Sequence, residues 1–146
     1  QNFSCNARYI FRHSLFIINL KNLVNILLHW ISINTNYDTS KFNVPINIVE
    51  PERIQEMVCG GKCPVIAFFS ENEGIFLSLK NFEDLCHQSI LLHEMIHYFQ
   101  SDSKMENAFK EKEAYELQNK FLEDLSLKND MISVLNVKKC RSNQIN

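Results

Sequence analysis

The sequence predicts an α+β domain, with a small sheet of about three strands packed on a central helix and further helices towards both ends. Three observations carry this. All three glycines and all three prolines fall between positions 45 and 74, which concentrates the turn-forming residues in the middle of the chain. The same region contains short, β-prone apolar runs. On either side of it, apolar residues recur at helical spacing without a breaker. A chain of 146 residues that is 45% hydrophobic has enough material for one domain with a buried core, expected to span residues 1–146.

The elements follow in order. Residues 14–31 form the most apolar stretch and read as a helix. Asn19, Lys21, Asn22, Asn25 and His29 lie in it and are too costly in lipid for a membrane span. Asn19, Asn22 and His29, with Asn25 or Ile26 between them, form a stripe expected to be the wet edge of a mostly buried helix. Residues 43–49 are β-rich, and Pro45 and Pro51 suit an edge strand or a strand start. Residues 52–58 suit a short helix after Pro51. The runs 65–69 and 75–79 are strands joined by a hairpin-type loop ending in Gly74. Two helices follow, 83–101 and 105–126, separated near Ser101-Asp102-Ser103, where Ser or Asp can cap the second. Residues 131–137 are apolar and fit no single element.

Composition removes several function classes. The chain has 15 basic and 17 acidic residues and a formal net charge of −2, which argues against nucleic acid as an electrostatic partner. A phosphate-cradling loop or a dinucleotide fingerprint needs spaced glycines that this chain lacks.

There are five cysteines, at 5, 59, 63, 86 and 140, so at least one stays unpaired within the chain. Cys59 and Cys63 bracket a loop short enough to bridge, and Cys5 and Cys140 could tie the termini together. With all five reduced, Cys86 reads as a small buried hydrophobe. The chain begins at Gln1 rather than Met, as expected of a processed, trimmed or fragmentary chain. Removal of a signal peptide would suit both that start and the cysteines. The expected location is secreted or periplasmic.

Residues 93–97 read His93-Glu94-Met95-Ile96-His97. On a helix, positions i and i+4 share a face, so both imidazoles can reach one Zn²⁺. Glu94 is rotated about 100° from His93 and is placed to act on a water at the metal. Leu85, Leu92, Met95, Ile96 and Phe99 form an apolar face opposite the histidines, which lie with Cys86, Ser89 and Gln100. The next helix supplies candidate third ligands. Glu106, Glu113, Glu116, Lys120 and Glu123 fall on a charged, solvated arc. Glu111 falls with Ala114, Tyr115, Gln118, Phe121, Leu122 and Leu125. An inward carboxylate needs a partner, and a metal is one, so Glu111 is the expected third ligand and Glu113 the fallback. Ala114 would let the two helices approach closely. Gln100, one turn past His97, is placed to hold that ligand.

The pattern H-E-M-I-H followed by Glu111-Lys112-Glu113-Ala114-Tyr115 resembles the gluzincin motif, H-E-x-x-H and then E-x-x-A on the following helix. It is most similar to small single-domain metallopeptidase-like proteins of unassigned function. In those, strands like C-P-V-I-A-F-F and G-I-F-L-S-L precede L-L-H-E-M-I-H-Y-F-Q, and E-K-E-A-Y-E-L-Q-N-K-F-L follows. The likeness spans about residues 57–125. Many gluzincins carry Asp four residues after the ligand Glu, where this chain has Tyr115, and the gap from His97 to Glu111 is short.

The resemblance implies a minimal zincin-like fold and a zinc metallopeptidase. His93, His97 and Glu111 match the Zn²⁺ ligands, and Glu94 matches the base that activates water. Tyr115, or otherwise Tyr98, is placed to donate to the oxyanion. The 65–69 strand would be the edge that pairs with an extended peptide or protein substrate. The alternative function is a catalytically inactive zincin-fold binding module, against which the intact Glu94 argues. A di-iron bundle needs a second E-x-x-H that the chain lacks, and a deformylase-like reading would need Cys63 as a ligand.

Overall fold

The computed structural model of the chain describes residues 18–79 and 81–144. Within them lie five α-helices and a three-stranded mixed sheet, a small α+β domain as the sequence predicts. Helix α1 spans Leu20–Asn34. Asn19 precedes it as its N-cap, its side chain accepting from the Asn22 N–H at 2.9 Å. Asn19 therefore ends the helix and is not part of the wet stripe. Asn22, Asn25, Ile26 and His29 are indeed exposed, while Leu23, Leu27, Trp30 and Ile31 are buried. Residues 14–17 of the expected helix lie outside the described residues.

A 3₁₀ turn at Thr39–Lys41 leads to β1, Ile46–Ile48. Helix α2, Pro51–Cys59, has Pro51 in its first turn and Gly60 beyond its end at φ +67°, the usual pairing of helix start and stop. Strands β2, Ala67–Ser70, and β3, Gly74–Leu77, form the expected hairpin. The order is β1-β3-β2, with β1 parallel and β2 antiparallel to β3. Gly74 sits at φ +100°, and a Cβ there would meet the Pro45 carbonyl oxygen. That carbonyl accepts from the Ile75 N–H at 2.9 Å, so the glycine lets the chain before β1 close onto β3.

Helix α3, Leu85–Gln100, begins at Asp84, whose side chain accepts from the His87 N–H. Helix α4, Asn107–Lys128, has Glu106 as N-cap with no side-chain capping bond. Ser101 instead closes α3, and Ser103 Oγ accepts from the Met105 N–H, so the expected Ser or Asp cap of the second helix is not formed. Residues 131–136 carry no regular element, and Val137 opens helix α5, Val137–Gln144.

The core gathers Leu23, Leu27 and Ile31 of α1, Ile75 and Leu77 of β3, Leu91, Leu92, Met95 and Ile96 of α3, and Ala114 and Phe121 of α4. Trp30 meets Phe121 edge-on at 5.6 Å, and its indole N–H donates to Asp124 at 3.1 Å. Helix α3 is thus enclosed by the sheet on one side and α4 on another. Its polar residues can be buried only if each finds a partner.

Two disulfides are present. Cys59–Cys63 closes the expected short loop. Cys140 bonds to Cys86, not to Cys5, and Cys86 is not a free thiol. The expected pairing of the termini is overturned because α5 packs over the start of α3, where Cys86, Leu122 and Cys140 form a second apolar cluster. Cys5 lies outside the described residues. Cys63, being disulfide-bonded, has no thiolate to offer a metal, which removes the deformylase-like reading.

Candidate metal centre

His93 and His97 stand one turn apart on α3, and Glu111 faces them from the first turns of α4. The Nε2 atoms of His93 and His97 are 3.1 Å apart. Glu111 Oε1 is 2.5 Å from His97 Nε2 and 3.6 Å from His93 Nε2. Buried Ala114 is what lets α4 come this close. Glu111 lies at the mouth of the site, with its side chain half exposed. It faces inward as the helical wheel predicts, but it is less buried than an inward arc implies.

The fallback, Glu113, points elsewhere. It is half-buried, accepts from Gln100 Nε2 at 3.0 Å and is hydrogen-bonded to the Tyr37 hydroxyl. The expected solvated arc therefore holds for Glu106, Glu116, Lys120 and Glu123, and Glu113 departs from it because the loop after α1 covers that side of α4.

The ring orientations follow from the hydrogen bonds behind them. Gln118 Nε2 donates to Ser89 Oγ at 3.0 Å, and the Ser89 hydroxyl donates to the Cys86 carbonyl at 2.7 Å. This fixes the Gln118 amide with its oxygen towards His93 Nδ1, at 3.0 Å. Likewise, Gln100 Nε2 donates to the Lys110 carbonyl and to Glu113, both at 3.0 Å. Its oxygen therefore faces His97 Nδ1, at 2.8 Å. Both amide oxygens only accept, so both neutral histidines carry their proton on Nδ1 and present a bare lone pair at Nε2. With neutral rings, these two lone pairs and Glu111 Oε1 are three converging acceptors; a proton on His97 Nε2 would instead make its 2.5 Å contact with Glu111 a charge-assisted hydrogen bond.

The role of Gln100 is legible in its i+3 spacing from His97. Those of Gln118, Ser89, Glu113 and Tyr37 are not, because they join elements distant in sequence.

Glu94 is buried beside this cluster. Burial, reinforced by the Glu111 carboxylate, pushes its carboxyl up to about 8, and a hydrogen bond to the Phe69 backbone pulls the other way. Burial, with His97 beside it, pushes the His93 imidazole down to about 4. Tyr115 lies against His93, ring centroids 4.5 Å apart. Its hydroxyl accepts from Arg141 Nη2 at 2.6 Å. Tyr98 is not at the site: its hydroxyl donates to the Lys41 carbonyl, and its ring packs on Phe42 and Phe99.

These shifts give the metal-free protein a definite pH dependence. The raised Glu94 contributes stability that is full below its ordinary 4.5 and is lost as pH rises through about 8. The lowered His93 contributes stability present above 6.5 and lost as pH falls towards 4. Of these two trends, only that of Glu94 remains above pH 6.5. The melting temperature of chelator-treated protein should therefore fall between pH 6.5 and 8, and Glu94→Gln should flatten that fall. A wild-type curve that is level across this window would contradict the assignment.

A cleft of about 520 Å³ opens beside His93 and Glu94, walled by residues 64–67 on one side and by Val137, Cys140 and Arg141 on the other. The Ser78 N–H bonds to the Ile66 carbonyl. With the antiparallel register of β2 and β3, the alternation turns the Ala67 and Phe69 backbone groups away from β3. They face the free edge of the sheet.

Fold and site together define an α+β domain with a two-helix His-His-Glu cluster of metal-ligating type. The chain belongs to the family described as Domain of unknown function (DUF6647), whose model matches residues 18–146. No curated protein and no solved structure matches the chain.

Proposed function

We propose that the protein is a zinc-dependent peptide-bond hydrolase of gluzincin type, built on a minimal zincin-like fold. The observation that carries this reading is the convergence of three lone pairs, on His93 Nε2, His97 Nε2 and Glu111 Oε1, which repel one another unless a cation lies among them. Two imidazoles and one carboxylate are a catalytic-type zinc set that leaves a position open. Donors arranged tetrahedrally at about 2.1 Å lie about 3.4 Å apart; the observed 3.1 and 3.6 Å are close to that value, and the 2.5 Å between His97 Nε2 and Glu111 Oε1 would have to open for an ion to enter. His93, His97 and Glu111 would hold the ion.

Bound there, zinc supplies Lewis acidity, lowering the pKa of a water and polarising a carbonyl. The chain's own residues do the rest. Glu94 sits in a low-dielectric pocket, and a cation nearby draws its raised pKa back towards neutrality, where a general base works best. It accepts the proton of the attacking water and delivers it to the leaving amine. Tyr115 accepts from Arg141, so its own O–H is free to donate towards the substrate carbonyl. The outward amide and carbonyl of Ala67 offer pairing to an extended peptide or protein chain. Among the described residues no helix is long and apolar enough to cross a membrane. The two disulfides support a secreted or periplasmic location. A non-catalytic binding module would have no use for a base poised as Glu94 is.

Elemental analysis after zinc loading should find one ion per chain, together with peptide hydrolysis that a chelator abolishes. At about a thousandfold excess over Kd, zinc should stabilise the fold by about 4 kcal/mol, and His97→Ala should remove that gain. A wild-type protein that takes up no ion and melts at the same temperature with zinc would end the proposal.

A further inference from the structure

Among the described residues Arg141 is the one cationic residue lining the cleft, and in the proposed mechanism it serves only as a donor to the Tyr115 hydroxyl. It has no carboxylate partner among the described residues. Its contacts are the 2.6 Å hydrogen bond from Nη2 to the Tyr115 hydroxyl and the Tyr115 ring, 5.1 Å from Cζ to the centroid. One N–H is committed, and the exposed guanidinium has further donors with no hydrogen-bond partner among the described residues, so they are left for a ligand or water.

Its backbone is anchored. Neighbouring Cys140 is bonded to Cys86. The Val137 N–H donates to Asn119 Oδ1 at 2.8 Å, and the Leu135 N–H donates to Ser126 Oγ at 3.0 Å. A guanidinium positioned in this way, above an otherwise apolar wall of Val65, Ile66, Ile90 and Val137, suits a planar anion.

We infer that Arg141 is a specificity-determining residue that binds a carboxylate of the peptide lying in the cleft, so that the protein prefers substrates with a negative charge close to the cleaved bond. The inference rests on the proposed peptidase reading for the word substrate, though not for the binding. Its reach sets the position. The His93 ring is 4.5 Å from Tyr115, and Tyr115 is 5.1 Å from the Arg141 Cζ, so the guanidinium lies within about 10 Å of the ligand histidine. An extended chain advances about 3.3–3.6 Å per residue, which puts the carboxylate one to three residues from the reacting carbonyl. It would be either the C-terminal carboxylate of a short peptide or an Asp or Glu side chain.

The test compares three probes: N-acetyl-Ala-Leu-Leu as the free acid, the same peptide as the carboxamide, and N-acetyl-Ala-Leu-Asp carboxamide. Binding is measured by calorimetry on the full chain in a chelator, so that no carboxylate can attach to a metal. Zinc-loaded hydrolysis is measured separately. At least one acid should bind ten- to a hundredfold more tightly than the plain carboxamide. Preference for the free acid identifies a terminal carboxylate, and preference for the Asp peptide a side chain. Arg141→Met, which keeps the aliphatic stem, should bring the ratio to within about twofold, and Arg141→Lys should restore part of it. An unchanged melting temperature and an intact Cys86–Cys140 bond exclude a folding defect. If all three probes bind alike to the wild type, or if the preference survives Arg141→Met, the inference is wrong. Arg141-dependent binding without any hydrolysis would uphold it while removing the peptidase reading.

Discussion

Replacing Glu94 by Gln should lower kcat for peptide hydrolysis by about 10²- to 10⁴-fold, the usual contribution of a general base, while leaving metal uptake and fold intact. The side chains are nearly isosteric, and Glu94 is not one of the three converging donors, so the ligand set is untouched. In the proposed mechanism two opposing influences suit the residue to act as a base. Burial beside Glu111 holds its carboxyl up near 8, and a bound cation would lower it again. The amide of Gln can accept a hydrogen bond from water but cannot take its proton. Metal content, melting temperature and turnover, measured on one preparation, separate this from trivial loss. A Glu94→Gln protein that retains metal and full turnover would exclude Glu94 as the base.

The Cys86–Cys140 bond should be the larger of the two covalent contributions to stability. It closes a loop with a sequence separation of 54, for which the chain-entropy account gives about 4 kcal/mol. The Cys59–Cys63 loop, with a separation of 4, gives about 2 kcal/mol on the same account. The consequences also differ in kind. Helix α5 spans 8 residues, too short to persist alone in water, and it provides Val137, Cys140 and Arg141 to the cleft. A Cys86→Ala/Cys140→Ala protein should therefore lose about twice the unfolding free energy lost by Cys59→Ala/Cys63→Ala in urea titrations. It should also lose the carboxylate preference, which the other variant retains. Equal losses in the two variants would contradict the arrangement.

What was legible in the sequence was what is local. The i and i+4 spacing put His93 and His97 on one face. The i+3 spacing put Gln100 behind His97. The helical wheel separated Glu111 from the outer carboxylates, and the confined glycines and prolines marked the sheet. What escaped depends on which elements meet. Glu113 looked solvated because nothing in its own helix reveals the loop bearing Tyr37. Ser89 falls on the histidine face and Gln118 on the arc of Glu111, but the bonds of Gln118 to Ser89 and His93 show only with α3 and α4 side by side. The partner of Cys140 could not be read from spacing, since any pair of cysteines permits closure on paper and only the packing of α5 on α3 decides it. Asn19 shows the same limit in small: a stripe and a cap occupy the same position on a wheel, and only the backbone tells them apart.

The two glutamine amides behind the histidines carry a consequence for charge. In many metal sites the group behind a ligand imidazole is a carboxylate; here it is neutral on both sides. The donors themselves bring a single negative charge, that of Glu111, so a divalent ion would leave one positive charge uncompensated in a buried setting. A group able to balance it is Glu94, whose carboxyl is pushed up to about 8 when no ion is held. Under the proposed function, metal uptake and the ionisation of Glu94 would then be two sides of one equilibrium. If the centre takes up zinc as proposed, uptake should expel a proton, and affinity should climb with pH towards 8. A filled centre would hold Glu94, the proposed base, in its charged form.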